Sequence, residues 1–245
     1  MPRRHLLLFL ALCGILLLGA VLAFGLLSAL HAALPHLAFF DTQVQARVHG
    51  WTSPSLTALM LALTGIGGIT TFATAAGVVT LLLIYRRRHH MAIVLGVSLT
   101  VAFVLNEVLK LHFHRVRPTV PWRIGSVHTF SFPSGHALFA TILYGTLAWL
   151  SFHPAMSFRR RVEVLGPALL LPLSIGLSRI YLGMHFPTDV LGGYLAGLAW
   201  LAGLITADHV WRARTAAERP IHSRKARLAA ARQLDERTQP SLPRR

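Results

Sequence analysis

Long uncharged apolar runs alternate along the chain with short polar or basic segments. A helix rises about 1.5 Å per residue, so about 20 apolar residues cross roughly 30 Å of bilayer hydrocarbon. Six runs meet or approach that length: residues 6–30, 56–84, 91–111, 136–152, 164–182 and 190–207. The second holds Gly65-Ile66-Gly67-Gly68 near its first third, and the third carries Asn106, Glu107 and Lys110 near its far end. The pattern predicts an all-α fold, an integral membrane bundle of six transmembrane helices within residues 1–210. Residues 211–245 mix Arg, Ala, Gln and Pro with few apolar side chains, and read as a basic, disordered cytoplasmic tail. The first run follows Arg3-Arg4, exceeds the usual core of a secretory signal and lacks a following Ala-x-Ala site, so it reads as a retained anchor.

Composition supports the membrane reading and excludes an ordinary soluble domain. The chain is 54% hydrophobic and only 13% charged, where soluble domains carry about 25% charged residues. Cys13 is a lone cysteine, so no intrachain disulfide forms. The net charge of +16 raises a nucleic-acid partner until its distribution is read. With six spans, Arg3-Arg4, Arg86–Arg88, Arg159–Arg161 and the ten Lys and Arg of 212–245 share one side, 18 of the 24. Lys and Arg gather in cytoplasmic loops, which places both termini in the cytoplasm. The excess charge is then topology and needs no nucleic acid.

The opposite face carries three polar clusters. One is Lys110 with Arg117-Pro118, seven residues apart at the end of the third run. Pro118 disfavours helix at Arg117, which lets that guanidinium turn inward. The second is Pro133-Ser134-Gly135-His136, opening the fourth run. A helix start has free N–H groups and binds anions, and Gly135 admits a ligand to the backbone. The third is Ser178-Arg179 with His185 and Asp189, joining the fifth and sixth runs. A carboxylate four residues from an imidazole holds one nitrogen and leaves the other free as a nucleophile. Taken singly, these clusters read equally as a snorkelling basic belt or as helix caps. Those readings do not explain why all three share one membrane face.

Together the three segments resemble the three-part signature of the type 2 phosphatidic acid phosphatase superfamily, in order and in spacing. The resemblance covers roughly residues 41–207 and extends to Met60, Thr64 and the glycines that follow. It implies His185 as the nucleophile that becomes phosphohistidine, Asp189 as its orienting carboxylate, and His136 as acid to the leaving oxygen. It implies Lys110, Arg117 and Arg179 as ligands of the phosphate oxygens, with Ser134 and the Gly135 backbone completing the cage. No metal or other cofactor is expected, since three cations stabilise phosphoryl charge by themselves. The implied function is a lipid phosphatase in the bacterial inner membrane, with its site on the periplasmic face and a membrane lipid phosphate as substrate. Undecaprenyl diphosphate is favoured over phosphatidic acid and phosphatidylglycerophosphate. The alternative is a lipid phosphotransferase using the same site with an acceptor other than water.

The remaining polar residues have plainer readings. His112 and His114 form a His-x-His that a metal hydrolase would recruit, but a divalent cation beside Lys110, Arg117 and Arg179 is repelled. Glu107 reads as a structural partner of Lys110, and Asp41 as an interfacial helix cap. Trp51, Trp122 and Tyr181 read as an interfacial aromatic belt. Arg115 and Arg123 read as solvated loop residues.

Overall fold

A computed structural model of the chain describes residues 3–33, 35–125, 129–153 and 155–238, with side chains for 8–30, 37–125, 129–153 and 155–215. Among the described residues all regular structure is helical. The helices are α1 (Arg3–Ala33), α2 (Pro35–His49), α3 (Pro54–Ile66), α4 (Ile69–Tyr85), α5 (His89–Phe113), α6 (Gly135–Ser151), α7 (Phe158–Tyr181) and α8 (Pro187–Thr238). The chain divides into two compact units, Met1–Ile205 and Thr206–Arg245.

Local chemistry sets several of the boundaries. Ser53 caps α3, its Oγ accepting from the Leu56 N–H at 3.2 Å with Pro54 following, and Ser157 caps α7 in the same way. The glycine run of the second apolar segment breaks it into α3 and α4, bent by 49°. Gly67 sits at the break because its backbone passes close to α7: a Cβ there would fall 2.4 Å from Ile175 Cγ2.

Four helical segments are long and apolar enough to cross a membrane: Leu8–Leu30, His89–Phe113, Phe158–Tyr181 and Pro187–Thr215. The bent pair α3–α4 makes a fifth if it is one span. The fourth expected span corresponds to α6, whose 17 residues cover about 25 Å at the usual helical rise.

In the first unit α6 lies at the centre, packed on α4, α5 and α7. Leu138 and Ile142 are wholly enclosed with Phe72, Ala76, Leu95 and Ala102 around them. A helix apolar on every side is stable only when every side is covered. The outer helices turn large apolar side chains outward instead, among them Leu16, Val78, Leu81 and Leu169. A bilayer solvates that surface, which water would not.

In the second unit Asp208 pairs with Arg212 one helical turn on, at 2.9 Å. The backbone of α8 is helical through Thr238. Its Ala, Arg, Leu, Lys and Gln are strong helix formers.

The aromatic belt holds only in part. Trp51 is exposed, whereas Trp122 stacks on His49 at 4.3 Å. Tyr181 is buried, with its hydroxyl 2.8 Å from Thr57 Oγ. It ties α7 to α3 from within the protein.

Candidate active site

The turn from α7 into α8 builds the centre of the site. The Arg179 carbonyl accepts from both the Met184 N–H (3.0 Å) and the His185 N–H (3.2 Å), so Arg179 and His185 are rigidly related through the backbone. Gly183 makes this possible with φ +69°, a left-handed conformation that side chains other than glycine's resist. Phe186 then caps α8, Pro187 takes the first helical position, and the Asp189 carboxylate reaches back to the Phe186 N–H at 2.9 Å. This bond, with the Asp189 N–H donating to the Phe186 carbonyl at 3.0 Å, fixes Asp189 beside His185.

His185 is buried. Its Nδ1 lies 3.4 Å from Asp189 Oδ2 and 3.5 Å from Ser131 Oγ, and its Nε2 lies 3.0 Å from Arg117 Nη1. Ser131 Oγ also donates a short hydrogen bond to Asp189 Oδ2. Burial pushes the imidazole down to about 4 from its usual 6.5, although Asp189 pulls the other way, so the ring is neutral at physiological pH.

Arg117 follows the end of α5, where His114 turns left-handed with φ 47°. Its Nε donates to the Thr129 carbonyl (2.7 Å), Nη1 to the Met184 carbonyl (3.0 Å) and Nη2 to the Phe130 carbonyl (3.3 Å). It thereby ties the first cluster to the loops of the second and third. Lys110 points to Thr129 Oγ at 3.5 Å. Arg179 donates from Nη1 to Thr64 Oγ at 2.5 Å, while its buried Nε has no protein partner.

The second cluster completes the arrangement. The Ser134 N–H donates to the Asp189 carbonyl at 2.9 Å, yet its buried Oγ has no partner at the head of α6. Gly135 packs so closely on Asn106 that a Cβ would fall 2.9 Å from its Oδ1. His136 lies within electrostatic reach of Arg179, His185, Lys110 and Arg117. The eight predicted site residues therefore converge at one end of the first unit. Three cations, a neutral imidazole held by a carboxylate, a helix N-terminus and two unpartnered buried donors form an arrangement suited to a multiply charged oxyanion.

Residues 91–213 match the PAP2 superfamily. The chain belongs to that superfamily. Relatives within it include phosphatidylglycerophosphatase B of Bacillus subtilis, 41% identical over 96 residues, which are 39% of this chain and 47% of that one. Undecaprenyl-diphosphatase of Sulfolobus acidocaldarius is 33% identical over 132 residues, 52% of this chain and 59% of that one. The chain thus spans about half the length of the curated relatives it matches. A solved transmembrane PAP2-type phosphatidylglycerolphosphate phosphatase from Bacillus subtilis is similar with a TM-score of 0.71 at 27% identity, over 79% of this chain and 95% of that one.

Outside the PAP2 signature residues, three charged positions also differ from their sequence readings. Asp41 is no interfacial cap: it lies within α2, fully buried, accepting from the Thr188 N–H (3.0 Å) and Thr188 Oγ (2.5 Å). Arg115 is no solvated loop residue: it pairs with Asp41 Oδ2 at 2.6 Å and with Asp189 Oδ1 at shorter range. Glu107 accepts from Asn106 Nδ2 at 2.7 Å, while Lys110 turns toward Thr129. Gln45 was not singled out at all, yet its Nε2 donates to the His185 carbonyl at 3.1 Å. The available signal was periodicity: Asp41, Gln45 and Val48 follow the i, i+4, i+7 spacing of one helix face. His112 and His114 are exposed, set against the rings of Phe113 and Phe130. Among the described residues no three His, Cys, Asp or Glu side chains gather as metal donors.

Proposed function

We propose that this PAP2 protein is an integral membrane lipid phosphatase that hydrolyses a phosphate or diphosphate headgroup through a phosphohistidine. The observation that carries the reading is the orientation of His185, with Nδ1 toward Asp189 and Nε2 toward Arg117 in the cationic cage. A headgroup phosphate is held by Lys110, Arg117 and Arg179, by Ser134 Oγ and by the Gly135 N–H. Nε2 attacks the terminal phosphorus, forming an N–P bond as its P–O bond to the lipid oxygen, or in a diphosphate to the bridging oxygen of the lipid monophosphate, breaks and His136 gives its proton to that leaving oxygen. Neutral His136 then takes a proton from water, which attacks phosphorus, breaks the N–P bond and releases inorganic phosphate. Asp189 stabilises the charge that His185 acquires. The cations counter the charge of the phosphoryl group throughout, the main requirement of such a transfer.

The topology follows from charge and length. We read α6 as a span too, the fourth of six, since its ends are a phosphate-binding cap and a polar loop. Both termini are then cytoplasmic, residues 211–245 form a basic cytoplasmic tail beside the membrane domain of residues 1–210, and the site faces the periplasm of a bacterial inner membrane. The lipid substrate keeps its tail in the bilayer while the cleaved bond sits at headgroup depth. Relatives named for undecaprenyl diphosphate and for phosphatidylglycerophosphate support a substrate of this class, and undecaprenyl diphosphate is the one we favour.

The test is phosphate release by purified protein from undecaprenyl diphosphate, phosphatidic acid and phosphatidylglycerophosphate, with His185→Ala as control. Turnover of at least one lipid, persisting in a chelator, inhibited by vanadate and abolished in the variant, is the expected result. Unchanged release by His185→Ala would overturn the phosphohistidine. Release only on adding a lipid or sugar acceptor would make the protein a phosphotransferase.

A further inference from the structure

Asp41 and Arg115 are charged, withdrawn from water and unused by the mechanism above; their bonds run to the back of the His185–Asp189 turn. We propose that they form a positioning clamp: Arg115 holds the Asp189 carboxylate in the orientation that aims His185, and Asp41 holds both Arg115 and the first turn of α8. This inference rests on the phosphatase reading and adds residues to it.

The clamp follows from how each donor is used. Arg115 spends its two terminal nitrogens on different carboxylates, Nη2 on Asp41 Oδ2 at 2.6 Å and Nη1 on Asp189 Oδ1, with Thr188 Oγ also 2.8 Å from Nη1. The guanidinium lies over the Phe186 ring at 4.4 Å, so its plane is held as well as its ends. Asp189 is correspondingly full: Oδ1 accepts from Arg115, and Oδ2 from Ser131 Oγ and the Phe186 N–H. Rotating that carboxylate away from His185 Nδ1 would break three hydrogen bonds.

Asp41 anchors the other end. Its Oδ1 takes the Thr188 N–H, one of the free donors at the start of α8, where a negative charge is favoured. One turn further along α2, Gln45 takes the His185 carbonyl. The helix therefore grips the turn at both His185 and Thr188. A merely structural ion pair has no need to share its guanidinium with the carboxylate that orients the nucleophile.

Charge gives the clamp a signature that simple docking of α2 would lack. The charged and titratable groups acting on His185 are Asp189 from α8, Arg117 from the loop after α5, Arg179 from α7 and His136 from α6. Arg115 and Asp41 stand behind Asp189 with opposite signs. Removing the cation makes His185 take up a proton at higher pH, and removing the anion makes it do so at lower pH.

The experiment compares purified full-length Arg115→Met, Arg115→Lys, Asp41→Asn and His185→Ala, using the lipid phosphate the wild type turns over fastest. For Arg115→Met, kcat should fall about 10–100-fold, as for other outer partners of a reacting group, with KM within about twofold. The acid limb of kcat/KM should move to higher pH in Arg115→Met and to lower pH in Asp41→Asn. Arg115→Lys should keep the wild-type limb and recover part of kcat. Limbs that stay in place, or that move in the same direction, would overturn the clamp, as would a loss confined to KM. If Arg115→Met does not fold, Asp41→Asn decides: a limb moved to lower pH supports the clamp, and a limb that stays in place or rises overturns it. A dead His185→Ala beside unaltered clamp variants sinks the clamp alone, whereas an active His185→Ala sinks the phosphohistidine itself.

Discussion

Arg117 Nη1 lies 3.0 Å from His185 Nε2, and a guanidinium has only donors to offer. The imidazole must therefore accept at Nε2 and carry its proton on Nδ1, the nitrogen facing Asp189 at 3.4 Å. The tautomer is set by two partners of opposite kind on opposite edges of one ring. It leaves the Nε2 lone pair, the candidate nucleophile, directed at Arg117.

Burial sets the pH range over which that lone pair survives. His185 is pushed down to about 4, so kcat/KM should hold as pH falls through 6.5 and drop only through about 4. An acid limb near 6.5 would show the ring in water-like surroundings. Folding stability follows the same sign: the unfolded ring takes a proton below about 6.5, the folded ring only near 4. His185 therefore destabilises the fold progressively as pH falls from 6.5 toward 4. Denaturation at pH 7 and pH 5 should differ less in His185→Ala than in the wild type.

Thr64 aims Arg179. Its Oγ accepts from Nη1 at 2.5 Å, while Nε is left without a protein partner. Thr64→Val keeps the volume and removes the acceptor. Catalytic efficiency should drop about tenfold for about 1 kcal/mol of lost stability, the usual net value of one hydrogen bond. Steady-state kinetics and a thermal melt measure the two, and full efficiency in the variant would show Arg179 held without Thr64.

Gly193 sets the distance between α8 and the head of α6. A Cβ there would fall 2.6 Å from the Ser134 carbonyl oxygen, a backbone atom with little room to move. Gly193→Ala should cost about 1–3 kcal/mol, the range for overpacking, and should also lower kcat, because the Ser134 N–H is bonded to the Asp189 carbonyl. Gly203→Ala on the same helix meets nothing within 4 Å and serves as the control. Equal melting temperatures for the two variants would refute the close approach.

The apolar runs were legible because hydrophobicity is a property of consecutive residues, and their positions agree with α1, α5, α7 and the start of α8. The eight candidate site residues were picked out by motif spacing, since each cluster is local; the structure brings them together at one end of the first unit. The bend at Gly67 was less legible: four glycine-rich residues signal flexibility, while the close pass of Ile175 that requires glycine comes from α7. Tyr181 was misread because a tyrosine near a span end suits an interface as well as an interior. Only the neighbouring Thr57, from another helix, separates the two.

A helical membrane protein with three chemical clusters was legible along the chain, because apolar length and motif spacing are properties of consecutive residues. Tertiary structure alone decided what the remaining charges do. Asp41 meets Arg115 across 74 positions, and Arg115 meets Asp189 across 74 more. An ion pair depends on distance in space and on exclusion of water, and neither exists until α2 folds against the turn that carries His185. The two charges that looked most ordinary in the sequence therefore lie directly behind the candidate nucleophile.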